Sequence, residues 1–248
     1  DIDGLVVIGG NGSLAGAHAL HLETGMPVVG IPGSIDNDLN GTDMCVGVDT
    51  ALNTIVYNVD KIKDTASSHS RLFVIEVMGR DCGYLALASG MACGALMALI
   101  PENQAEFDPS NFCNLIYKAF RRSKKHAIVI KAEGFNRLSN AELEKELSDY
   151  LSERGIEDLD IRFTQLGHIQ RGGSPSAFDR VLSSKLGIHA VRQLLNGASD
   201  IMMALVRNEI TTCPLSEIGQ GRRERILGLY QEYMAQEFLM AKKLTPKS

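Results

Sequence analysis

Five short runs rich in Val and Ile, at residues 5–8, 28–31, 72–77, 96–100 and 127–130, recur along a chain of 248 residues, bounded by Gly or Pro. Runs of this length, apolar almost throughout, fit strands covered on both faces, as in a parallel sheet. Helical patterning fills the stretches between and after them, at 13–23, 49–64, 82–93, 110–122, 141–154 and 178–195. Parallel strands need long crossover connections, and helices supply them, so the alternation predicts an α/β fold built from βαβ units. Residues 139–142 read Ser-Asn-Ala-Glu, a polar helix start, after which Leu143, Leu147, Tyr150 and Leu151 fall on one face. Segment 222–243 reads as a further amphipathic helix.

Composition matters mainly for what it excludes. With 44% hydrophobic and 22% charged residues the chain has the balance of a soluble globular protein. The longest apolar runs, such as 96–100, are strand-sized, so neither a membrane segment nor a membrane partner is expected. No signal peptide is read. The net charge of −5 is dispersed apart from a basic cluster at 121–126, which argues against nucleic acid as the partner. Five cysteines, odd in number and without a CxxC, suggest neither a disulfide framework nor a zinc site, and reduced thiols in a cytoplasmic protein are expected. The chain opens on Asp1 and enters a strand pattern by Leu5, which leads us to expect a natural N-terminus further upstream.

Chemistry-bearing residues gather where strands end. "IGGNGS" (8–13) follows the first strand and opens a helix. Its glycines let the backbone approach a phosphate at the positive helix end, and they equally suit close packing of helix on sheet. "PGSIDND" (32–38) follows the second strand and places Asp36 and Asp38 on the same rim. The pair reads either as one ligand region, with one carboxylate on a cation and the other taking a proton, or as a turn bonded to its own backbone. "EVMGRDCG" (76–83), "KAEG" (131–134) and "LGHIQRGGSP" (166–175) add Arg80, Glu133, His168 and Arg171. Single residues among these have ordinary structural uses, but packing alone does not gather charge on one rim. Arg71, Arg80, Arg162 and Arg171 supply guanidinium forks suited to phosphate.

In this order and at these separations, "GGNGS", "PGSIDND", "SSHSR", "EVMGRDCG" and "LGHIQRGGSP" closely resemble the motifs of the ATP-dependent 6-phosphofructokinase family, from the first residue to about Asn208. The resemblance implies a two-lobed α/β fold of mainly parallel sheets flanked by helices, truncated at its N-terminus. The nucleotide lobe would comprise 1–47 and 172–223, the sugar phosphate lobe 48–171, and a C-terminal helix 224–248. The implied reaction is transfer of the ATP γ-phosphoryl group to the 1-hydroxyl of fructose 6-phosphate, with magnesium as cofactor.

Residue by residue, Asp36 resembles the general base, and Arg80 the arginine beside the transferred group. Asp38 and Asn11 resemble the positions that hold the metal, and Gly10, Asn11, Gly12 and Ser13 the nucleotide loop. Ser34 stands where the family has Thr and keeps the hydroxyl; Met78, Gly79 and Glu133 match the sugar site, and His168 and Arg171 the 6-phosphate ligands. Arg71 and Arg162 match residues that reach into a neighbouring subunit, which implies a homo-oligomer, usually a tetramer. Gly12 and Gly33, where pyrophosphate-using relatives carry Asp and Lys, favour ATP.

Three departures bear on activity. Asn11 stands where an aspartate is usual and should weaken magnesium binding. The family's first portion, with its own nucleotide loop, has no counterpart in this sequence, so poor or absent ATP turnover is expected of this chain alone. Lys63, Arg122, Lys124 and Lys125 resemble a bacterial effector site, but Leu96 replaces its acid. The alternative to a kinase is a non-catalytic sugar phosphate binding or regulatory subunit.

Overall fold

A computed structural model describes residues 2–65, 71–121, 126–156, 159–219 and 222–243, with backbone alone at 222 and 236–243. In chain order the elements are β1 (Leu5–Gly9), α1 (Asn11–Thr24), β2 (Val28–Pro32), α2 (Val48–Thr65), β3 (Arg71–Val77), α3 (Tyr84–Cys93) and β4 (Met97–Leu99). There follow α4 (Pro109–Arg121), β5 (His126–Ala132), α5 (Asn140–Ser152), β6 (Asp160–Gln165), α6 (Ala177–Leu195), β7 (Ile201–Val206), β8 (Glu209–Pro214) and α7 (Arg222–Lys243). Short 3-10 turns occupy Pro101–Glu106, Gly167–Arg171 and Leu215–Glu217. The α/β expectation holds, and the five anticipated strands and the helices all form.

The chain divides into two compact units, one of Asp1–Ala51 with Arg171–Glu224, the other of Leu52–Gln170 with Arg225–Ser248. The limits expected at 47/48 and 171/172 lie a few residues from these divisions, and the C-terminal helix groups with the second unit. The first unit has a sheet in the order β1-β2-β7-β8, parallel except for the β7–β8 hairpin. All five β2 residues are buried. Val29 and Ile31 pack with Leu182, Leu186 and Ala190 of α6, and Gly30 lies under Leu14 of α1. Helix α1 stops at Gly25, whose φ of 71° glycine adopts without strain, and whose N–H returns to the His21 carbonyl.

The second unit has a wholly parallel sheet, β4-β5-β3-β6. Its core joins Leu72, Val74 and Val129 to Phe112 and Ile116 of α4 and to Leu143, Leu147 and Leu151 of α5. The polar start read at 139–142 is a complete capping box: Glu142 N–H donates to Ser139 Oγ, and the Ser139 N–H and hydroxyl donate to the Glu142 carboxylate. Helix α3 begins at Tyr84, later than expected. The preceding residues close a turn, Cys82 N–H to Gly79 carbonyl, and the Gly83 N–H donates to the buried carboxylate of Glu102.

Three strands escaped the sequence reading. β6 (DIRFTQ) carries alternating polar residues on a sheet edge, and β7 (IMMALV) is apolar through Met rather than Val and Ile. β8 follows a hairpin whose Arg207 and Asn208 both take positive φ without the usual glycine.

Candidate active site

In the first unit the C-terminal ends of β1 and β2 lie side by side, Ile8 opposite Ile31 and Gly9 opposite Pro32, so the turns that leave them share one rim. The Gly33 N–H donates to the Gly9 carbonyl at 2.9 Å. Helix α1 starts directly on that rim, with Gly10 at its N-cap, no side-chain cap and no acid in its first turn. The N–H groups of Asn11, Gly12 and Ser13 therefore meet no carbonyl within the helix, and the dipole end there favours an anion. A Cβ at Gly9 would lie 2.6 Å from the Ser13 side chain, and one at Gly33 would lie 3.3 Å from an Ile8 methyl. Packing accounts for Gly9, whereas at Gly33 the exposed Ile8 side chain need give only a few tenths of an ångström. At Gly12 a Cβ would meet nothing within 4 Å, so the fold makes no demand for glycine there and the space before the helix end stays open.

The central asparagine of "DND" is the structural member of that motif. Asn37 is fully buried with φ at 50°. Its Nδ2 donates to the Asp43 carbonyl at 3.0 Å and its Oδ1 accepts from the Cys45 N–H at 2.9 Å. The own-backbone reading of the turn thus holds for Asn37, and the flanking carboxylates stay half-buried at the rim. Asp38 accepts from Asn11 Nδ2 at 2.5 Å and from Ser34 Oγ at 3.2 Å, which brings three of the expected residues together.

Asp38, Asn11 and Ser34 offer a carboxylate, an amide oxygen and a hydroxyl, all hard oxygen donors of the kind magnesium takes. Among the described residues no group of three or more His, Cys, Asp or Glu could hold a metal. Asn11 presents its nitrogen to Asp38, and its amide must turn before its oxygen can face a cation.

In the second unit the rim is built by the ends of β3, β5 and β6. β3 runs into Met78, Gly79 and Arg80, with φ of 137° at Gly79 and 53° at Arg80. Glu133, just past β5, holds this turn: its Oε1 accepts from Gly79 N–H at 3.1 Å and from Arg80 N–H at 2.6 Å. The two strands pass closely here, since a Cβ on Gly134 would sit 2.1 Å from the Arg80 carbonyl oxygen. β6 leads into the turn that carries His168 and Arg171, both exposed. Arg71 and Arg162 meet one carboxylate, Asp160, at 3.1 and 2.7 Å, and Arg71 also donates to the Thr65 carbonyl. Of "SSHSR", residues 67–70 lie outside the described residues.

The phosphofructokinase family profile matches residues 1–194. The chain belongs to the phosphofructokinase family. It is 48% identical over 219 residues to the ATP-dependent 6-phosphofructokinase of Thermotoga neapolitana, covering 87% of this chain and 65% of that protein. It is 49% identical over 217 residues to the ATP-dependent 6-phosphofructokinase of Listeria monocytogenes, with 88% and 65% covered. Among solved structures, Pichia pastoris phosphofructokinase superposes with a TM-score of 0.83 at 32% identity, over 100% of this chain and 32% of that one. The chain thus spans 65% of the length of these two curated relatives.

Within this phosphofructokinase fold the residues compared with an effector site are otherwise engaged or lie outside the described residues. Lys63 donates to the Cys93 carbonyl at 2.5 Å, at the C-terminal end of α3, where a cation suits the helix dipole. Leu96 is a core residue, 5% exposed, and Arg122, Lys124 and Lys125 fall outside the described residues. All five cysteines are buried, and burial pushes the Cys113 thiol up to about 11. Burial raises Cys93 and Cys213 as well, so these three thiols are not poised as nucleophiles. No helix among the described residues is long and apolar enough to cross a membrane.

Sequence reasoning missed the polar residues that hold the rims. Gln170 and Glu102 are buried among backbone amides, and Lys131 is buried between Glu76 and Asn140. Asp179 accepts from the Gly47 and Thr50 N–H groups at the start of α2, both at 2.8 Å. Of these, Asp179 was findable: three residues after Ser176, it completes a helix-start pattern, and its N–H donates to Ser176 Oγ.

Proposed function

We propose that this chain is the larger part of an ATP-dependent 6-phosphofructokinase, which transfers the γ-phosphoryl group of ATP to the 1-hydroxyl of fructose 6-phosphate in glycolysis. The observation that carries the reading is the Asp38 carboxylate, bonded to Asn11 and Ser34 on the rim where the uncapped α1 begins. A phosphate-accepting helix end and a carboxylate pair are what in-line transfer between phosphate and alcohol requires. The open space before Gly12 supports ATP as donor.

Asp36 takes the proton from the 1-hydroxyl as that oxygen bonds to the γ-phosphorus; the bond to the β-phosphate oxygen breaks and ADP leaves. Gly10, Asn11, Gly12 and Ser13 hold the nucleotide phosphates through the N–H groups of α1. Asn11 and Asp38 would hold magnesium, which when bound neutralises phosphate charge. Arg80 faces the transferred group, and Met78, Gly79 and Ser34 line the substrate. His168 and Arg171 take the 6-phosphate. Glu133, with Oε1 engaged by the 79–80 turn, offers Oε2 to a sugar hydroxyl. The nucleotide loop belongs to the first unit, and Met78, Gly79, Glu133 and His168 to the second. Arg71 and Arg162, pre-set by Asp160, serve a neighbouring subunit's site in a homotetramer of the cytoplasm.

The test is Asp36→Asn in the intact protein. Loss of a general base lowers kcat by about 10²–10⁴-fold, while calorimetric binding of fructose 6-phosphate stays within a few-fold of wild type. A kcat that falls only a few-fold overturns the assignment. Asn11, a neutral amide where the family has an aspartate, favours a second reading, a non-catalytic sugar phosphate binding subunit. In that case the wild type binds fructose 6-phosphate and consumes no ATP.

A further inference from the structure

Past the last paired residues of β3 and β6, Glu76 and Gln165, the ladder makes one more rung, Leu166 N–H to Glu76 carbonyl at 3.0 Å, and then the chains diverge. Met78 goes on to the turn that bears Gly79 and Arg80; Gly167, with φ at 56°, opens the turn that bears His168 and Arg171. One side chain spans the divergence. Gln170 is 1% exposed; its Oε1 accepts from the Met78 N–H at 3.1 Å and its Nε2 donates to the Gly167 carbonyl at 2.8 Å.

We infer that Gln170 is a positioning residue that locks the phosphate-ligand turn to the Met78–Arg80 turn and so sets fructose 6-phosphate affinity. The inference rests on the function proposed above. Its carboxamide stands in for a further peptide unit of the ladder, with an acceptor for one strand's N–H and a donor for the other's carbonyl. Those two partners also fix the amide's orientation, because an N–H needs an oxygen and a carbonyl needs an NH2. An ionised glutamate can accept from Met78 but confronts the Gly167 carbonyl with like charge. A protonated glutamic acid supplies both roles again, and burial favours that neutral form. Methionine fills similar space and does neither. His168 and Arg171 lie in the same short 3-10 turn as Gln170 and are exposed, so what holds Gln170 holds the turn that presents them.

The experiment uses the intact protein as wild type, Gln170→Met and Gln170→Glu, with two readouts from pH 5.5 to 8.5. The first is exchange of the Met78 amide hydrogen, corrected for intrinsic rate, and the second is calorimetric Kd for fructose 6-phosphate. Gln170→Met should expose the Met78 N–H to exchange and weaken sugar phosphate binding tenfold or more at every pH, relative to wild type. Gln170→Glu should match it at pH 8.5 and recover towards wild type as the pH falls, a rescue that a merely space-filling role does not produce. The inference is overturned if Met78 stays equally protected in Gln170→Met, or if neither variant changes a Kd that the wild type displays. It also fails if Gln170→Glu shows no pH-dependent recovery. A wild type that binds no fructose 6-phosphate overturns the proposed function, and Met78 exchange then still decides whether Gln170 locks the turns.

Discussion

Replacing Asn37 with alanine removes two side-chain bonds that help hold the turn between the two candidate carboxylates. The Cys45 N–H and the Asp43 carbonyl lose their Asn37 partners, and alanine must take the φ of 50° that asparagine tolerates. Two lost hydrogen bonds count about 1 kcal/mol each, and a stranded buried donor adds about 1. Left-handed backbone adds about 1 more for alanine. We expect Asn37→Ala to be destabilised by about 4 kcal/mol and Asn37→Gly, which escapes only the backbone strain, by about 3. Against a typical total of about 5–15 kcal/mol, both are measurable. The chain has no tryptophan, so urea unfolding should be followed by far-UV circular dichroism. Alanine within about 1 kcal/mol of wild type, or glycine less stable than alanine, would refute the reasoning. Because Asp36 and Asp38 flank this residue, kcat should fall in both variants even at temperatures where they remain folded.

Gly134→Ala should displace the 79–80 turn, because its Cβ would lie 2.1 Å from the Arg80 carbonyl oxygen; a crystal structure of the variant with Arg80 unmoved sinks the idea. Asn11→Asp puts a second carboxylate where an amide now donates to Asp38. Like charges repel until a cation bridges them, so magnesium should raise the Tm of Asn11→Asp more than that of wild type, and equal rises would count against this site. The Glu142 carboxyl is held below its ordinary value by the Ser139 N–H and then by the Ser139 hydroxyl. A depressed carboxyl stabilises the fold above its ordinary pKa of about 4.3, and that contribution disappears as pH falls through the lowered value. Ser139→Ala keeps the N–H and loses the hydroxyl, so Glu142 should titrate part of the way back by NMR; no movement contradicts the assigned cause.

The α/β class and the five Val- and Ile-rich strands were legible because burial on both faces leaves an unbroken apolar run, which the eye finds without a partner strand. β6 was not, since an edge strand with Asp, Arg, Thr and Gln has no such run, and β7 hid behind methionine. The site was legible as motifs but not as bonds. Sequence placed Asp36, Asn37 and Asp38 together; only the fold assigns Asn37 to the interior and Asp38 to Asn11 and Ser34. Gln170 lay inside a quoted motif and went unremarked beside the charged His168 and Arg171, because its partners are backbone groups 92 and 3 residues away. Arg71 and Arg162 were read as phosphate ligands, and their shared hold on Asp160 comes from the β3–β6 register, which the sequence does not display.

The discontinuity of the first unit sets a timetable for synthesis. Its sheet needs β7 beside β2, yet roughly 170 residues separate them, about 10–30 s of translation at ~5–20 residues per second. During that interval β1, α1 and β2 have been made without the strand that completes their sheet. The strands and crossover helices of the second unit, by contrast, emerge as one uninterrupted stretch, Leu52–Gln170. A ribosome therefore delivers the strands of the second unit as one run while the Gly-rich unit waits, its fully buried β2 still lacking β7 at its side.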